Sequence, residues 1–218
     1  LRRYGMHSEA GIVLRGIRTN GMTDQELGEF AAFAGNYVTE EEFLQYVSRI
    51  KNKTEAAKSR YDYYNDRSNR NPPNMEKALT EIPTLKKSPE YATMDLTFRE
   101  AQLLEGVGRF EESIKAYRSA NKQPESTWGI TDCLIAMKQY GNAIKTVRDL
   151  EALGGTVASR ASLKAADIYK IAGDKGKEVA QLRSVLKRYP KSGESSVAHN
   201  RLESYGVALI GGEAQAEE

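Results

Sequence analysis

"GRFEESIKAYRSANKQP", Gly108 to Pro124, decides the fold. It reads as the end of one helix, a tight turn and a second helix. Gly108 suits the turn because a positive φ costs glycine little. Beyond it, Ile114, Tyr117 and Ala120 fall at i, i+3 and i+6 on one helix face, with Phe110 leading in.

The same shape recurs. "KQYGNAIKTVRDLEALG" (Lys138 to Gly154) and "GDKGKEVAQLRSVLKRYP" (Gly173 to Pro190) carry it, and "NMEKALTEIPTLKKSP" (Asn74 to Pro89) is a weaker copy. Aligned after the turn, the pairs are Ala78-Leu79, Ser113-Ile114, Ala143-Ile144 and Glu178-Val179, spaced by 35, 30 and 35 residues. The short interval implies a trimmed helix or loop in the middle copy. In the last copy Val179, Leu182, Val185 and Leu186 repeat the apolar stripe. Ala101, Ala120, Ala165 and Ala166 let helices approach closely, and Pro190 stops a helix by removing a backbone donor.

This pattern resembles the tetratricopeptide repeat (TPR) family, whose period is about 34 residues. Gly108, Phe110, Tyr117 and Ala120 match the family's turn glycine, aromatic and small positions, as do Tyr169, Gly173 and Pro190. Ser113 and Glu178 stand where the family prefers alanine, and Lys138 replaces a turn glycine. The resemblance covers roughly Asn74 to Gly206. It implies an all-α fold, a TPR-like α-solenoid of helix-turn-helix repeats preceded by an N-terminal helical segment.

The expected organisation has four parts. Residues 1–22 are an uncertain N-terminal segment, in which "EAGIVLRGIRTNG" admits a short helix closed by Asn20-Gly21 or a strand. Residues 23–70 form a helical hairpin. Thr23 with Glu26, and Thr39 with Glu42, are capping-box pairs. Leu27, Phe30 and Phe33 face inward on the first helix. One long helix then runs from Thr39 to about Ser68, with Phe43, Tyr46, Val47, Ile50, Ala57, Tyr61 and Tyr64 inside. "NRNPPN" (Asn69 to Asn74) is the expected boundary. Residues 71–206 hold the repeats and a C-terminal capping helix. That helix starts at Ser192 or Gly193, presents Ser196, Ala198 and Asn200 as a small face, is anchored by Val197, Leu202 and Tyr205, and ends at Gly206. Residues 207–218 read as a disordered acidic tail.

The stretch "YPKSGESSVAHNRL" also resembles the repeat-end pattern of bacterial cell-envelope members of the family, on Pro190, Ser192, Ala198, Arg201 and Leu202. That implies a periplasmic or envelope location, with the cytoplasm as the alternative.

Composition narrows the function classes. Across 218 residues, Lys+Arg 32 nearly cancels Asp+Glu 30, so no global field argues for nucleic acid or an anionic membrane. Cys133 is the single cysteine, so no internal disulfide can form. No apolar run approaches the ~18 residues of a membrane span. The histidines, His7 and His199, lie near opposite ends, and no zinc spacing, phosphate loop or nucleophile elbow occurs. No enzyme activity, metal or cofactor is expected. The basic groups Lys51, Lys53, Lys58, Arg60 and Lys86-Lys87 are interleaved with acids and read as solvated faces.

The resemblance also places a partner. In a TPR solenoid the first helix of each pair lines the concave face. The inward positions are Asp95, Phe98, Arg99 and Gln102, then Trp128 and Asp132, then Arg160, Lys164 and Asp167. Second-helix positions such as Lys115 fall outside that face. The mix of aromatic, cationic and acidic groups suits a protein or peptide with charge and an apolar anchor. Trp128 is read equally as a groove residue and as buried packing. Arg160 and Lys164 match the basic pair of the co-chaperone subclass that clamps a C-terminal carboxylate. Gly129 and Arg99 occupy its asparagine positions, which excludes that subclass. The expected function is a non-enzymatic scaffold or adaptor, in bacterial envelope assembly. The alternative is an interaction domain of a larger cytoplasmic enzyme or regulator.

Overall fold

The structure is a computed structural model and describes residues 2–207, with side chains from residue 9 onward. Among the described residues the chain is all-helical, with twelve α-helices, one short 3-10 turn and no strand. It divides into two compact units, Leu1–Gly108 and Arg109–Glu218.

The first unit contains α1 (Arg2–Gly16), α2 (Asp24–Ala34), α3 (Glu40–Val47), α4 (Lys53–Asp66), α5 (Pro72–Lys86) and α6 (Leu96–Gly106). The strand reading of the N-terminal segment is thereby excluded. The helix ends at Gly16, earlier than Asn20-Gly21, and turns Leu14 inward while Ile12 and Val13 stay exposed. Both expected capping boxes form. The Thr23 and Thr39 hydroxyls accept from the Glu26 and Glu42 N–H groups, and each carboxylate accepts from the cap backbone N–H in return. Such a cap is worth about 1 kcal/mol. On α2, Leu27, Ala31 and Ala34 face the core, whereas Phe33 is 58% exposed.

The single helix expected from Thr39 to about Ser68 is two helices, α3 and α4. Of its seven expected inner residues Phe43, Val47, Ile50, Ala57, Tyr61 and Tyr64 are buried, and Tyr46 is half-buried. The chain nevertheless turns at Ser48–Asn52, and the break has visible causes. Asn52 is the N-cap of α4 and accepts from the Thr54 and Glu55 N–H groups at 2.9 and 3.2 Å. The Asp24 carboxylate of α2 accepts from the N–H groups of Lys51 and Asn52 at 3.1 and 2.6 Å. Backbone donors that a continuous helix would have used are satisfied from outside it. The resulting core joins Leu27, Ala31, Phe43, Val47, Ile50 and Ala56. Phe43 stacks on Tyr63 with ring centroids 4.0 Å apart.

The second unit contains α7 (Phe110–Ala120), α8 (Glu125–Ala136), α9 (Tyr140–Glu151), α10 (Gly155–Ile171), α11 (Lys175–Arg188) and α12 (Gly193–Ser204). Each packs on the next, and α12 also touches α10. The unit boundary falls at Gly108/Arg109, not at "NRNPPN", because α5 packs on α4. Of the helix pairs expected after Asn74, α8/α9 and α10/α11 lie within this unit, while α6 and α7 fall on opposite sides of the division.

Three of the aligned turns share one conformation. Gly108, Lys138 and Gly173, each five residues before its aligned pair, have φ of 82°, 59° and 77°, whereas the same position in the first copy is Pro73, inside α5. The small-residue positions that follow, Ala78, Ser113, Ala143 and Glu178, are all at most 1% exposed. Glu178 is tolerated there because the Tyr205 hydroxyl donates to its Oε1 at 2.8 Å and Lys175 lies 3.6 Å from its Oε2. On α12, Ser192 caps the helix by accepting from the Ser195 N–H at 3.1 Å. The inward residues are Ser195, Ala198 and Leu202 at i, i+3 and i+7. Ser196, Asn200 and Val197, expected on the inner side, are exposed. The expected acidic tail lies outside the described residues, apart from Val207.

Candidate functional site

Five of the expected site residues line one groove in the second unit: Trp128 and Asp132 of α8, and Arg160, Lys164 and Asp167 of α10. Leu163 and, from α12, Glu194 complete it, around a volume of about 300 Å³. Helical spacing explains the grouping. Trp128 and Asp132 stand four residues apart on α8, and Arg160, Leu163, Lys164 and Asp167 fall at i, i+3, i+4 and i+7 on one face of α10.

Packing sets α8 in place. Gly129 is buried, and a Cβ there would meet the Tyr117 ring at 2.2 Å. A side chain at this position would force α7 and α8 apart. Glycine therefore lets the neighbouring Trp128 sit half-buried at the groove, where it both packs and lines.

The groove's charges are mostly committed. Lys164 Nζ lies 2.8 Å from Asp132 Oδ1, bridging α10 to α8 across the groove. The pair is partly solvated, so it contributes roughly 0–1 kcal/mol to stability and remains available for exchange with a ligand. Asp167 Oδ1 accepts from Arg201 of α12 at 2.7 Å. The Ser159 hydroxyl donates to Glu194 Oε2 at 2.9 Å. Arg160 differs. It is exposed, makes no ion pair among the described residues, and holds its guanidinium 5.4 Å from the centre of the Trp128 ring. The arrangement offers an aromatic face, an aliphatic side chain and an uncommitted guanidinium within one groove.

The other four expected residues lie in the first unit. Asp95 is the residue before α6, Phe98 is half-buried, and Gln102 is exposed. Arg99 is absorbed by packing. Its Nε donates to Asn65 Oδ1 at 2.7 Å, Nη2 to Ser68 Oγ at 2.9 Å and Nη1 to Gln102 Oε1 at 3.2 Å. Leu163 was not expected, although it stands ten residues before its turn residue, as Phe98 and Trp128 do before theirs. Glu194 and Arg201 come from the capping helix, which has no counterpart in the repeat register to signal them.

Cys133 is fully buried and its thiol donates to Ser113 Oγ at 3.4 Å, a packing role. His199 is half-buried on α12. Among the described residues no cluster of three or more His, Cys, Asp or Glu is placed to hold a metal, and no helix is long and apolar enough to cross a membrane. No protein-family model matches the chain, and no curated protein matches it.

Proposed function

We propose that this chain is a non-enzymatic TPR-like adaptor that binds an extended protein segment in the groove of α8, α10 and α12. The observation that carries this reading is the convergence of Trp128, Leu163 and the unpaired Arg160 at one groove. Interfaces draw most of their energy from a few aromatic and arginine anchors set in a pocket. Trp128 and Leu163 supply apolar contact, Arg160 can engage a carboxylate or carbonyl, and the exchangeable Lys164–Asp132 pair can fix register. The TPR resemblance supports the same face as the binding face. The pattern from Pro190 to Leu202 supports placing the adaptor in the bacterial cell envelope.

The test is a peptide selected on the whole chain from a random display library, followed by backbone amide NMR. The expected outcome is shift changes concentrated at Trp128, Asp132, Arg160, Leu163 and Lys164. A selection in which no recovered peptide shifts Trp128, Arg160 or Leu163 would overturn the assignment.

A further inference from the structure

A second groove lies in the same unit, on second helices that the sequence placed outside the binding face. It runs between α7 and α9 and encloses about 510 Å³. Its floor includes Ile114 and Leu134, and its walls carry Lys115 and Arg118 from α7 and Lys145 from α9. All three cations are exposed, and none enters an ion pair among the described residues. Glu111 is the single carboxylate in the lining. Elsewhere in the unit Lys164 pairs with Asp132, Arg201 with Asp167, Lys177 with Asp174, and Arg148 and Arg188 with Glu151.

We propose that this α7–α9 groove is a separate docking surface for an acidic peptide segment that also carries aliphatic side chains. Charge complementarity supports that occupant. Three exposed cations without an ion pair line the groove against one carboxylate, in a chain whose overall charge is only +2, and Glu112, whose pKa Lys115 helps to lower, lies outside the lining. Aspartate and glutamate side chains would pair with Lys115, Arg118 and Lys145, while a leucine or isoleucine between them would settle toward Ile114 and Leu134. Exposed pairs of this kind speed association and weaken with salt, because charges separated by more than about 8 Å are screened at physiological ionic strength. The proposal is independent of the α8–α10–α12 groove.

The probe is a random dodecapeptide display library panned on the whole chain at low salt. Panning is repeated on the triple variant Lys115→Glu, Arg118→Glu, Lys145→Glu, and on Lys187→Glu, an exposed cation that lines neither groove. The expected result is recovery of peptides with several Asp or Glu around Leu, Ile or Val. Recovery should fall at least about tenfold on the triple variant and stay unchanged on Lys187→Glu. Should the triple variant misfold by circular dichroism, the single neutral changes Lys115→Gln and Lys145→Gln replace it, each expected to weaken a recovered peptide about two- to fivefold. A recovered pool no more acidic than the input, or acidic peptides held equally well by the variants, would overturn the proposal. Binding of a labelled mixed-sequence 12-nucleotide RNA that the same variants abolish, with no acidic peptides recovered, would also overturn it and reassign the surface to nucleic acid.

Discussion

Arg99 and Lys164 stand at the same place in the repeat register, nine residues before their turn residues Gly108 and Gly173. In the first unit Arg99 is held by Asn65, Ser68 and Gln102. In the second unit Lys164 makes one partly solvated bridge to Asp132 at the lip of a groove. The same register position is consumed by packing in one unit and left at a surface in the other. Register alone therefore assigns a face to a residue, and the neighbouring helices decide whether that residue is structural or available.

The largest effect that can sharpen this contrast is in the first unit's core. Phe43 is fully buried and stacked on Tyr63. Phe43→Ala should destabilise by about 3–5 kcal/mol in urea unfolding followed by circular dichroism. A loss below about 1 kcal/mol would show that the aromatic cluster does not organise this unit.

Arg99 and Lys164 can be compared directly by the same measurement. Removing Arg99 leaves Asn65 and Ser68 without the donor that satisfies them, so Arg99→Ala should cost about 1–3 kcal/mol. Lys164→Ala should cost less than about 1 kcal/mol, because its bridge is solvated. Equal losses would break the distinction between a packed and an available residue.

A stabilising change tests the turns. Lys138 has φ of 59°, a left-handed conformation that costs a side-chain-bearing residue roughly 1 kcal/mol. Lys138→Gly should raise stability by up to about 1 kcal/mol, offset in part by glycine's greater freedom in the unfolded chain. A clear loss would mean that the lysine side chain contributes to the turn.

The smallest effect is a pH dependence in the first unit. Hydrogen bonds from Arg15 and from the Thr39 backbone lower the Glu42 pKa from 4.5 to about 2. A depressed carboxylate contributes stability that is fully present above 4.5 and is lost as pH falls toward 2. The stability difference between wild type and Glu42→Gln should therefore be constant at neutral pH and shrink across that acid window. A difference that stays flat to pH 2 would contradict the Arg15–Glu42 contact.

The helical class, both capping boxes and the positions of the turns were legible because they rest on short-range chemistry. A threonine three residues before a glutamate, or a glycine between two apolar stripes, signals its own geometry. The break between α3 and α4 was hidden because Asp24, distant in sequence, supplies the acceptors that allow Asn52 to start a new helix. The inward face of α12 was misjudged for a related reason. Small residues surround Ser195 on both sides, so composition did not show which of them faces α10 and α11. In the groove, Trp128, Asp132, Arg160, Lys164 and Asp167 were reachable through register. The contributions of Glu194 and Arg201 depend on how the last helix docks.

The most direct test of the central claim uses Trp128, the only tryptophan in the chain. A peptide selected on the Lys115→Glu, Arg118→Glu, Lys145→Glu variant, and so not held by the α7–α9 groove, is titrated into wild type, Leu163→Ala and Arg160→Ala, and the indole emission is followed. Wild type should show a saturable emission change. Affinity should be about thirtyfold weaker in at least one variant, since losing an interface anchor costs roughly 2 kcal/mol. Peptides that bind without altering the Trp128 emission, and equally well to both folded variants, would contradict that claim.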